Sequence, residues 1–277
     1  KANYEWWQKQ PMRYDWKEAV PYEEFSEQFY REIDARHFAN AREYLPIKKI
    51  HFDALVDFET LGKKDVLEIG VGNGSHAGLF AARARSFTGI DITDYAVKSV
   101  TERMRVFNLK GRILKMDAEK MTFPDESFDF VWSWGVIHHS ANTPKILEEI
   151  NRVLRPGGEA AIMVYYRGWW DYYIAGFLRG VFSGDFFRRK SIHDVIQNST
   201  DGAIARYYTL REWRKTTCKL FDVEEVFTLG PKSDVVLLPG GKLKDLIERL
   251  MPNRLNQLLT RGLRMGSFLF SILKKPS

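Results

Sequence analysis

Three glycines at alternate positions mark the stretch DVLEIGVGNGSHAG, residues 65–78. They follow the apolar run 66–69, which predicts a short buried strand, and they predict a tight turn after it. A helical pattern over 75–85 comes next, with Ser75 as the expected N-cap. Strand, glycine turn and helix in this order are typical of the first βαβ unit of a nucleotide-binding domain.

Polar residues that could do chemistry follow two later strand patterns. Asp91 ends the second, where a carboxylate can accept hydrogen bonds from both hydroxyls of a ribose. His138 and His139 follow the fourth, at the sheet edge where such domains bind ligands. Because a histidine pKa lies near neutrality, each is a candidate general base, and His138 is the preferred candidate. The alternative is that both only shape a pocket or bond the backbone. Further candidates, for which a surface or core role is favoured, are His37, Tyr165 and Tyr166.

The elements that would position these residues alternate along the middle of the chain. Five strand patterns separated by helical patterns predict a parallel sheet with helices on both faces. The strand patterns are 66–69, 87–92, 112–116, 128–132 and 159–165, and the helical patterns are 75–85, 94–107 and 143–154. Two more strand patterns, 221–229 and 266–273, lie near the end of the chain.

Four motifs follow one another along this pattern. The first is Glu68-x-Gly70-x-Gly72-x-Gly74, and Ser75 stands where a dinucleotide fingerprint would have its third glycine. MDAEKMTFPDESFD follows the third strand pattern, FDFVWSWGVIHH contains the fourth, and VLRPGG precedes the fifth. This order resembles the class I S-adenosylmethionine (SAM) methyltransferases, densely over about residues 63–166. The resemblance implies an α/β fold with a Rossmann-like, seven-stranded mixed sheet and helices on both faces.

The resemblance also implies the cofactor: SAM as methyl donor, with S-adenosylhomocysteine as product. The glycine turn would approach the methionine part of SAM closely, since only glycines leave that space, and Glu68 would lie near the positive end of the cofactor. Asp117 would accept the adenine amino group, beside the Ala118 backbone. The implied cofactor-binding residues are Glu68, Gly70, Gly72, Asn73, Gly74, Asp91, Ile92, Asp117, Ala118 and Ser133.

Shorter motifs are similar to those of bacterial small-molecule methyltransferases, often of glycan or natural-product pathways. They are GVIHHS-NT, a Tyr-Tyr-Arg exit from the fifth strand pattern, and STDG…RYYT-REW. We therefore expect a small-molecule acceptor, aromatic or lipid-like, with O-methylation favoured over N-methylation. Candidate acceptor-binding residues are Trp134, Tyr165, Tyr166, Trp169, Arg206 and Tyr208, of which the last two would suit an acidic acceptor.

Three segments lie outside the alternating pattern. Residues 1–61 form the expected N-terminal arm, and residues 62–277 the expected methyltransferase domain, with inserts at 167–208 and 231–265. Aromatic residues are frequent in the arm and the first insert: Trp6, Trp7, Tyr14, Trp16, Trp169, Trp170, Tyr172 and Tyr173. They would form a lid at the carboxyl edge of the sheet, suited to a flat or lipid-like acceptor. Ordinary core packing of the same residues is the alternative.

The second insert lies in the basic part of the chain. The net charge is +6, and residues 230–277 contain nine Lys/Arg against three Asp/Glu. Apolar residues at steps of three and four predict amphipathic helices over 242–264, broken at Pro252, with Asn253 capping the second. We expect the apolar stripe to pack on the domain. The alternative is peripheral membrane contact, with Arg249, Arg254, Arg261 and Arg264 at the lipid headgroups.

Composition narrows the function classes. Cys218 is the only cysteine, so an internal disulfide and a multi-cysteine metal site are excluded, and we expect it in the core. No carboxylate or histidine cluster has metal-ligand spacing, so no metal is expected. The sequence shows neither a secretory signal nor an apolar run long enough to span a bilayer, so we expect a cytoplasmic protein. Two alternatives stay open: an RNA methyltransferase that uses the basic segment on phosphates, and a non-catalytic SAM-binding or membrane-surface module.

Overall fold

A computed structural model describes residues 2–15, 18–188 and 190–277. At its centre is one mixed sheet in the order β3-β2-β1-β4-β5-β8-β7, with β6 paired to the end of β5. The strands are β1 Asp65–Ile69, β2 Ser86–Asp91, β3 Arg112–Lys115, β4 Phe128–Trp134, β5 Leu154–Tyr166, β6 Tyr207–Tyr208, β7 Asp222–Leu229 and β8 Phe268–Lys274. The pairings among β1–β6 are parallel, and β8 is antiparallel to β5 and β7. The expected α/β fold is confirmed.

Helices connect the strands and extend from both ends of the domain. They are α1 Ala2–Lys9, α2 Glu27–Tyr44, α3 Ser75–Ala81, α4 Asp94–Val106, α5 Thr143–Val153, α6 Gly176–Phe182, α7 Ile192–Asn198, α8 Leu210–Thr217, α9 Lys232–Val235, α10 Lys242–Leu250 and α11 Asn253–Gln257. Two π-helical segments, Trp169–Ala175 and Leu258–Gly262, adjoin α6 and α11. No helix in these described ranges is long and apolar enough to cross a bilayer.

Alternate side chains of the strands enter two separate cores, since successive residues of a strand point to opposite faces of the sheet. Val66, Phe130 and Trp132 pack with α3 and α4 on one face. Leu67 and Val131 pack with α5 and α8 on the other. Both faces of the sheet are therefore covered, which leaves its strand ends as the place for a ligand.

The strand order creates a crevice at those ends. The chain passes from β1 outward to β2 and β3, and then returns to place β4 on the other side of β1. Connections that leave in opposite directions open a gap between β1 and β4 at their carboxyl ends. The glycine turn after β1 and the short 3₁₀ helix Ile137–His139 after β4 both lie at this gap.

The structure differs from the sequence prediction at several local points of the sheet domain. The described residues form eight strands rather than seven, because Tyr207 and Tyr208 pair with Tyr165 and Tyr166. A strand of two residues is too short to give a recognisable sequence pattern. The N-cap of α3 is Gly74 and not Ser75; Gly74 has φ +82° and makes no side-chain cap.

Three expectations about the C-terminal third were also wrong. Cys218 is exposed at the end of α8 rather than in the core. The chain does break at Pro252, but Asn253 makes no cap, because its amide donates to the Arg42 carbonyl instead. The apolar stripe of 242–264 does not pack on the domain throughout, since several of its leucines are largely exposed.

Candidate active site

A cavity of about 790 Å³ opens at the carboxyl ends of β1–β4. One side, which we call the polar half, is lined by the glycine turn and the residues that follow β2 and β3. The other side, the aromatic half, is lined by the N-terminal arm and the ends of β4 and β5, with Phe268 at the start of β8. The cavity lies at the crevice that the strand order creates, where open α/β sheets bind their ligands.

The glycine turn forms one wall of the polar half. Gly70, Gly72 and Gly74 have φ of +80°, +52° and +82°, which residues with a Cβ rarely adopt. A Cβ on Gly70 would lie 2.2 Å from Cγ2 of Val136, whereas a Cβ on Gly72 would meet no atom within 4 Å. Gly70 is therefore required by conformation and by space. Gly72 is required by conformation alone and leaves room beside the backbone.

Asp91 lines the polar half from the end of β2. Its Oδ1 accepts hydrogen bonds from the Thr93 backbone N–H at 2.9 Å and hydroxyl at 2.8 Å, and its Oδ2 accepts from the Gly72 N–H at 3.4 Å. Burial raises the pKa of Asp91. Because the Gly72 contact is long, Oδ2 keeps acceptor capacity for a ligand hydroxyl.

The residues after β2 and β3 complete this half. Ile92, Asp117 and Ala118 all line the cavity, as does Asn73 in the glycine turn. Asp117 is exposed, and its Oδ1 accepts the Glu119 N–H at 2.9 Å. Ile92 presents an exposed apolar side chain. A carboxylate beside apolar side chains suits a flat ring that carries an amino group.

Glu68 and Ser133, both expected at the cofactor, are not among the residues that line the cavity. Glu68 is buried, with Oε1 4.0 Å from Nδ1 of His76, and burial raises its pKa well above the usual range. The Ser133 hydroxyl donates to the Ile69 carbonyl at 3.4 Å. Oε2 of Glu68 has no hydrogen-bond partner among the described residues. Because neither side chain lines the cavity, an effect of either on a ligand would be indirect.

Aromatic side chains from distant parts of the chain form the other half. The expected Trp134 and Tyr165 line it. The Tyr165 ring stacks on Phe268, with centroids 6.3 Å apart. Sequence reasoning did not single out four further aromatic residues in the cavity wall, Tyr4, Tyr44, Tyr95 and Phe268. No local motif marks them, since the fold brings them together from the arm, α2, α4 and β8.

The N-terminal arm covers the cavity. Trp7 and Tyr14 line it as expected, whereas Trp6 is not among the lining residues. Trp16, also expected in the lid, lies outside the described residues. Asn3 holds α1 in place: its amide donates to the Ile204 carbonyl at 3.0 Å and to the His139 carbonyl, and the Ile204 N–H donates back to Asn3 Oδ1 at 2.8 Å. The arm is thus fastened to the first insert across the cavity.

The two adjacent histidines have different environments. His139 lines the cavity, while His138 is fully buried and its ring contacts that of Tyr165, with centroids 3.9 Å apart and the planes tilted by 42°. Burial lowers both pKa values, to about 4 for His139 and well below the ordinary value for His138. The geometry therefore favours His139 over His138 as the candidate base, because the cavity wall contains His139.

Most of the first insert does not form the expected lid. Tyr166, Trp169 and Tyr208 are absent from the described cavity wall. The Trp169 Nε1–H donates to the Leu263 carbonyl at 2.9 Å, and the Trp170 Nε1–H donates to the Asp234 carbonyl at 3.0 Å. These indoles therefore join the two inserts to each other.

The end of the first insert does reach the cavity. Arg206 lines it, but its guanidinium donates to the carbonyls of Ser140 at 3.2 Å and Ala141 at 2.6 Å, which reduces its capacity for an acidic acceptor. Asp201 also lines the cavity, and burial raises its pKa. Sequence reasoning missed Asp201, whose only signal was its place in the STDG stretch.

A pair of buried histidines closes the cavity below the arm. Nε2 of His37 lies 3.1 Å from Nε2 of His76, and both residues line the cavity. Burial lowers both pKa values, to about 3 for His37. The His37 ring also contacts the rings of Tyr14 and Phe52.

The segment that builds most of the polar half matches a known family. Residues 67–162 match the family model described as a methyltransferase domain. This segment is a class I methyltransferase domain. The polar half of the cavity fits SAM, the cofactor that the sequence resemblance implies. Gly72 leaves space beside the backbone for the methionine part, Asp91 Oδ2 has acceptor capacity for the ribose, and Asp117 and Ile92 suit the adenine.

Two curated relatives align with the methyltransferase domain. One is 27-O-demethylrifamycin SV methyltransferase from Amycolatopsis mediterranei, 35% identical over 100 residues that cover 35% of this chain and 37% of the relative. The other is phthiotriol/phenolphthiotriol dimycocerosates methyltransferase from Mycobacterium tuberculosis, 37% identical over 100 residues that cover 35% of this chain and 36% of the relative. The match therefore spans little more than a third of the length of these relatives.

A solved structure shares the fold. A SAM-dependent methyltransferase from Methanosarcina mazei superposes with a TM-score of 0.52 and 18% identity, over 79% of this chain and 95% of that chain. At this identity the likeness concerns the fold of the methyltransferase domain and leaves the acceptor open.

Proposed function

We propose that this protein transfers the methyl group of SAM to a hydroxyl oxygen of a small amphipathic acceptor, with His139 as general base. The observation that carries the proposal is the hydrogen bond between Nδ1 of His139 and the Ile204 carbonyl, 2.8 Å long. A carbonyl oxygen can only accept, so Nδ1 carries the proton and Nε2 keeps its lone pair.

The lone pair of Nε2 is available to a bound acceptor. Nε2 is buried and has no hydrogen-bond partner within the described part of the chain, in a residue that lines the cavity. A buried acceptor atom without a partner is costly unless a ligand completes it. With a pKa of about 4, His139 is neutral at pH 7 and can take a proton.

Methylation of a hydroxyl acceptor requires a base. Bound SAM supplies an electrophilic methyl group, and an attacking hydroxyl must lose its proton as the new C–O bond forms. His139 accepts that proton, and the arm excludes water from the cavity. Asp201, which lines the same cavity, can accept a second hydrogen bond from the acceptor and so hold it in place.

The aromatic half favours a flat or lipid-like acceptor. Six aromatic side chains surround it, Trp7, Tyr14, Tyr44, Trp134, Tyr165 and Phe268. The substrates in the names of the two relatives agree with this class of acceptor. One acts on 27-O-demethylrifamycin SV, which lacks a methyl group on oxygen, and the other on phthiotriol dimycocerosates.

The test varies both the acceptor compound and the candidate base. The protein is incubated with methyl-labelled SAM and matched sets of aromatic and long-chain alcohols and amines, and with a lipid extract. His139→Asn keeps a donor for the Ile204 carbonyl but removes Nε2, so we expect turnover to fall by at least about 10²-fold with SAM affinity unchanged. His193→Asn, outside the described cavity wall, is the control. Normal turnover in His139→Asn, or label only on amines, would refute the proposal.

A further inference from the structure

The two inserts expose large apolar side chains that the proposed function does not use. The most exposed belong to two groups, around α6 and along α10 and α11, and we call them together the outer face. Its principal members are Phe182, Phe187, Leu243, Leu250, Leu258 and Leu263, each more than half exposed. Phe182 and Phe187 are 83% and 90% exposed. Exposed apolar side chains grouped along neighbouring helices are typical of an interaction site in a folded protein.

The helix α11 and its π-helical extension pack with their polar side inward. Asn256 and Thr260 are completely buried. The Asn256 amide donates to the carbonyls of Glu43 and Gly230, and the Thr260 hydroxyl donates to the Asn256 carbonyl. Leu258, on the same segment, is 64% exposed. This burial pattern is the reverse of an ordinary surface helix, so the fold orients the leucines outward.

The helix α6 repeats this arrangement with glycines. Gly176 and Gly180 are buried, and a Cβ on either would approach within 3 Å the side chains of Ile196 and Phe186, respectively. Close packing through the glycines leaves Phe182, at the end of α6, turned to solvent. Its exposure therefore follows from specific packing of the opposite side of the helix.

The helix α10 places basic residues beside its apolar arc. At 100° per residue, Leu243, Leu246 and Leu250 share one face, and Lys242 and Arg249 lie along one edge of it. Lys244 and Glu248 lie on the other side of the helix and pair with each other at 3.6 Å. Apolar residues bordered by cations are typical of helices that lie in a membrane interface.

Several arginines along the second insert form no ion pair within the described part of the chain. Arg249, Arg254 and Arg264 form no ion pair with any described residue, whereas Arg261 lies 3.9 Å from Glu225. The two inserts are joined by the Trp169 and Trp170 hydrogen bonds to Leu263 and Asp234. The outer face thus belongs to one connected structure with an excess of positive charge.

We propose that the outer face docks on an anionic lipid bilayer. Phenylalanine and leucine side chains would enter the interface, and the unpaired arginines would contact acidic headgroups, each adding to the affinity. The charge argues for lipid rather than a second copy of this chain, since two basic faces repel each other. The leucines argue against RNA, which binds through phosphate contacts and base stacking on aromatic rings.

The experiment measures binding of the full chain to sucrose-loaded vesicles by sedimentation. One set contains phosphatidylcholine alone, the other equal parts phosphatidylcholine and phosphatidylglycerol. We expect binding to the anionic set that weakens with salt. Leu250→Glu and Leu258→Glu should each lower the partition coefficient at least about tenfold, and Arg254→Gln about fivefold. Tyr22→Glu, at an apolar side chain 46% exposed outside both inserts, is the matched control.

All these substitutions are at exposed positions, so the variants should fold, and circular dichroism checks this. Equal binding of Leu258→Glu and Tyr22→Glu would overturn the proposal, as would failure of the wild type to bind anionic vesicles. A dimer seen by light scattering that Leu258→Glu dissociates, without vesicle binding, would assign the face to a second copy. Salt-sensitive binding of polyuridylate without vesicle binding would assign it to RNA. Methyl transfer is not needed for any of these readouts.

Discussion

The glycine turn allows one prediction to be worked out from two neighbouring positions. Gly70 and Gly72 both have positive φ, but only Gly70 is in close contact with another side chain, that of Val136. Substitution of each by alanine therefore separates two effects. Gly72→Ala adds the conformational cost alone, and Gly70→Ala adds the same cost together with a collision.

The sizes follow from the geometry. A residue with a Cβ in the left-handed region costs roughly 1–2 kcal/mol, and reduced freedom of the unfolded chain returns about 0.4–1 kcal/mol. Gly72→Ala should thus lower the free energy of unfolding by about 1 kcal/mol. The Cβ of Gly70→Ala would lie 2.2 Å from Cγ2 of Val136, far inside van der Waals contact, and such overpacking adds about 1–3 kcal/mol. We expect a total near 3 kcal/mol.

Urea unfolding without ligand measures both variants, and Val136→Ala provides the decisive comparison. Removing the Val136 methyl groups leaves only its Cβ, 2.9 Å from the new atom. The double variant Gly70→Ala, Val136→Ala should therefore be about 1–3 kcal/mol more stable than the sum of the two single effects predicts. If Gly70→Ala were no more destabilising than Gly72→Ala, or if Val136→Ala gave no recovery, the turn would not have the packing described.

Three further predictions concern the cofactor, acid stability and the arm. Asp91→Ala should weaken SAM binding by more than about tenfold in calorimetry, because a buried acceptor of ribose hydroxyls is lost; unchanged affinity would contradict this. Burial lowers the pKa of His37 to about 3 and of His139 to about 4. Between those pH values and about pH 6.5, each histidine is neutral in the folded protein and protonated in the unfolded chain. The free energy of unfolding should therefore fall by about 2 kcal/mol per histidine from pH 7 to pH 5, and His37→Phe should remove its share. Asn3→Ala should speed tryptic cleavage after Lys9 about tenfold, because the hydrogen bonds that hold α1 are lost; an unchanged rate would show that other contacts hold the arm.

The central sheet could be predicted from sequence because its signals are local. The runs before Gly70 and before Ser133 are mostly apolar, interrupted only by Glu68 and Asp129, as expected for strands buried on both faces, and turns bound them. The same holds for the polar half of the cavity, whose residues follow directly after β1, β2 and β3. In parallel strands, sequence position fixes the sheet edge at which a residue lies.

The aromatic half could not be predicted because its residues meet only in the folded chain. Tyr44 ends α2 and Phe268 begins β8, and neither belongs to a motif. The choice between His138 and His139 depended on which ring the turn after β4 exposes, and adjacent identical residues carry no sequence signal for that. The leucines of 242–264 were misjudged for another reason. Their spacing predicts a helix but not which side it buries, and Asn256 decides that through hydrogen bonds to distant carbonyls.

The carbonyl oxygen of Ile204 serves two donors at once, the Asn3 amide and Nδ1 of His139. This carbonyl therefore bonds the N-terminal arm and also fixes the proton of the His139 imidazole on Nδ1. Displacement of the arm would remove one of the two donors to that oxygen. In the proposed mechanism, the position of the arm and the tautomer of the base would therefore depend on one shared acceptor atom.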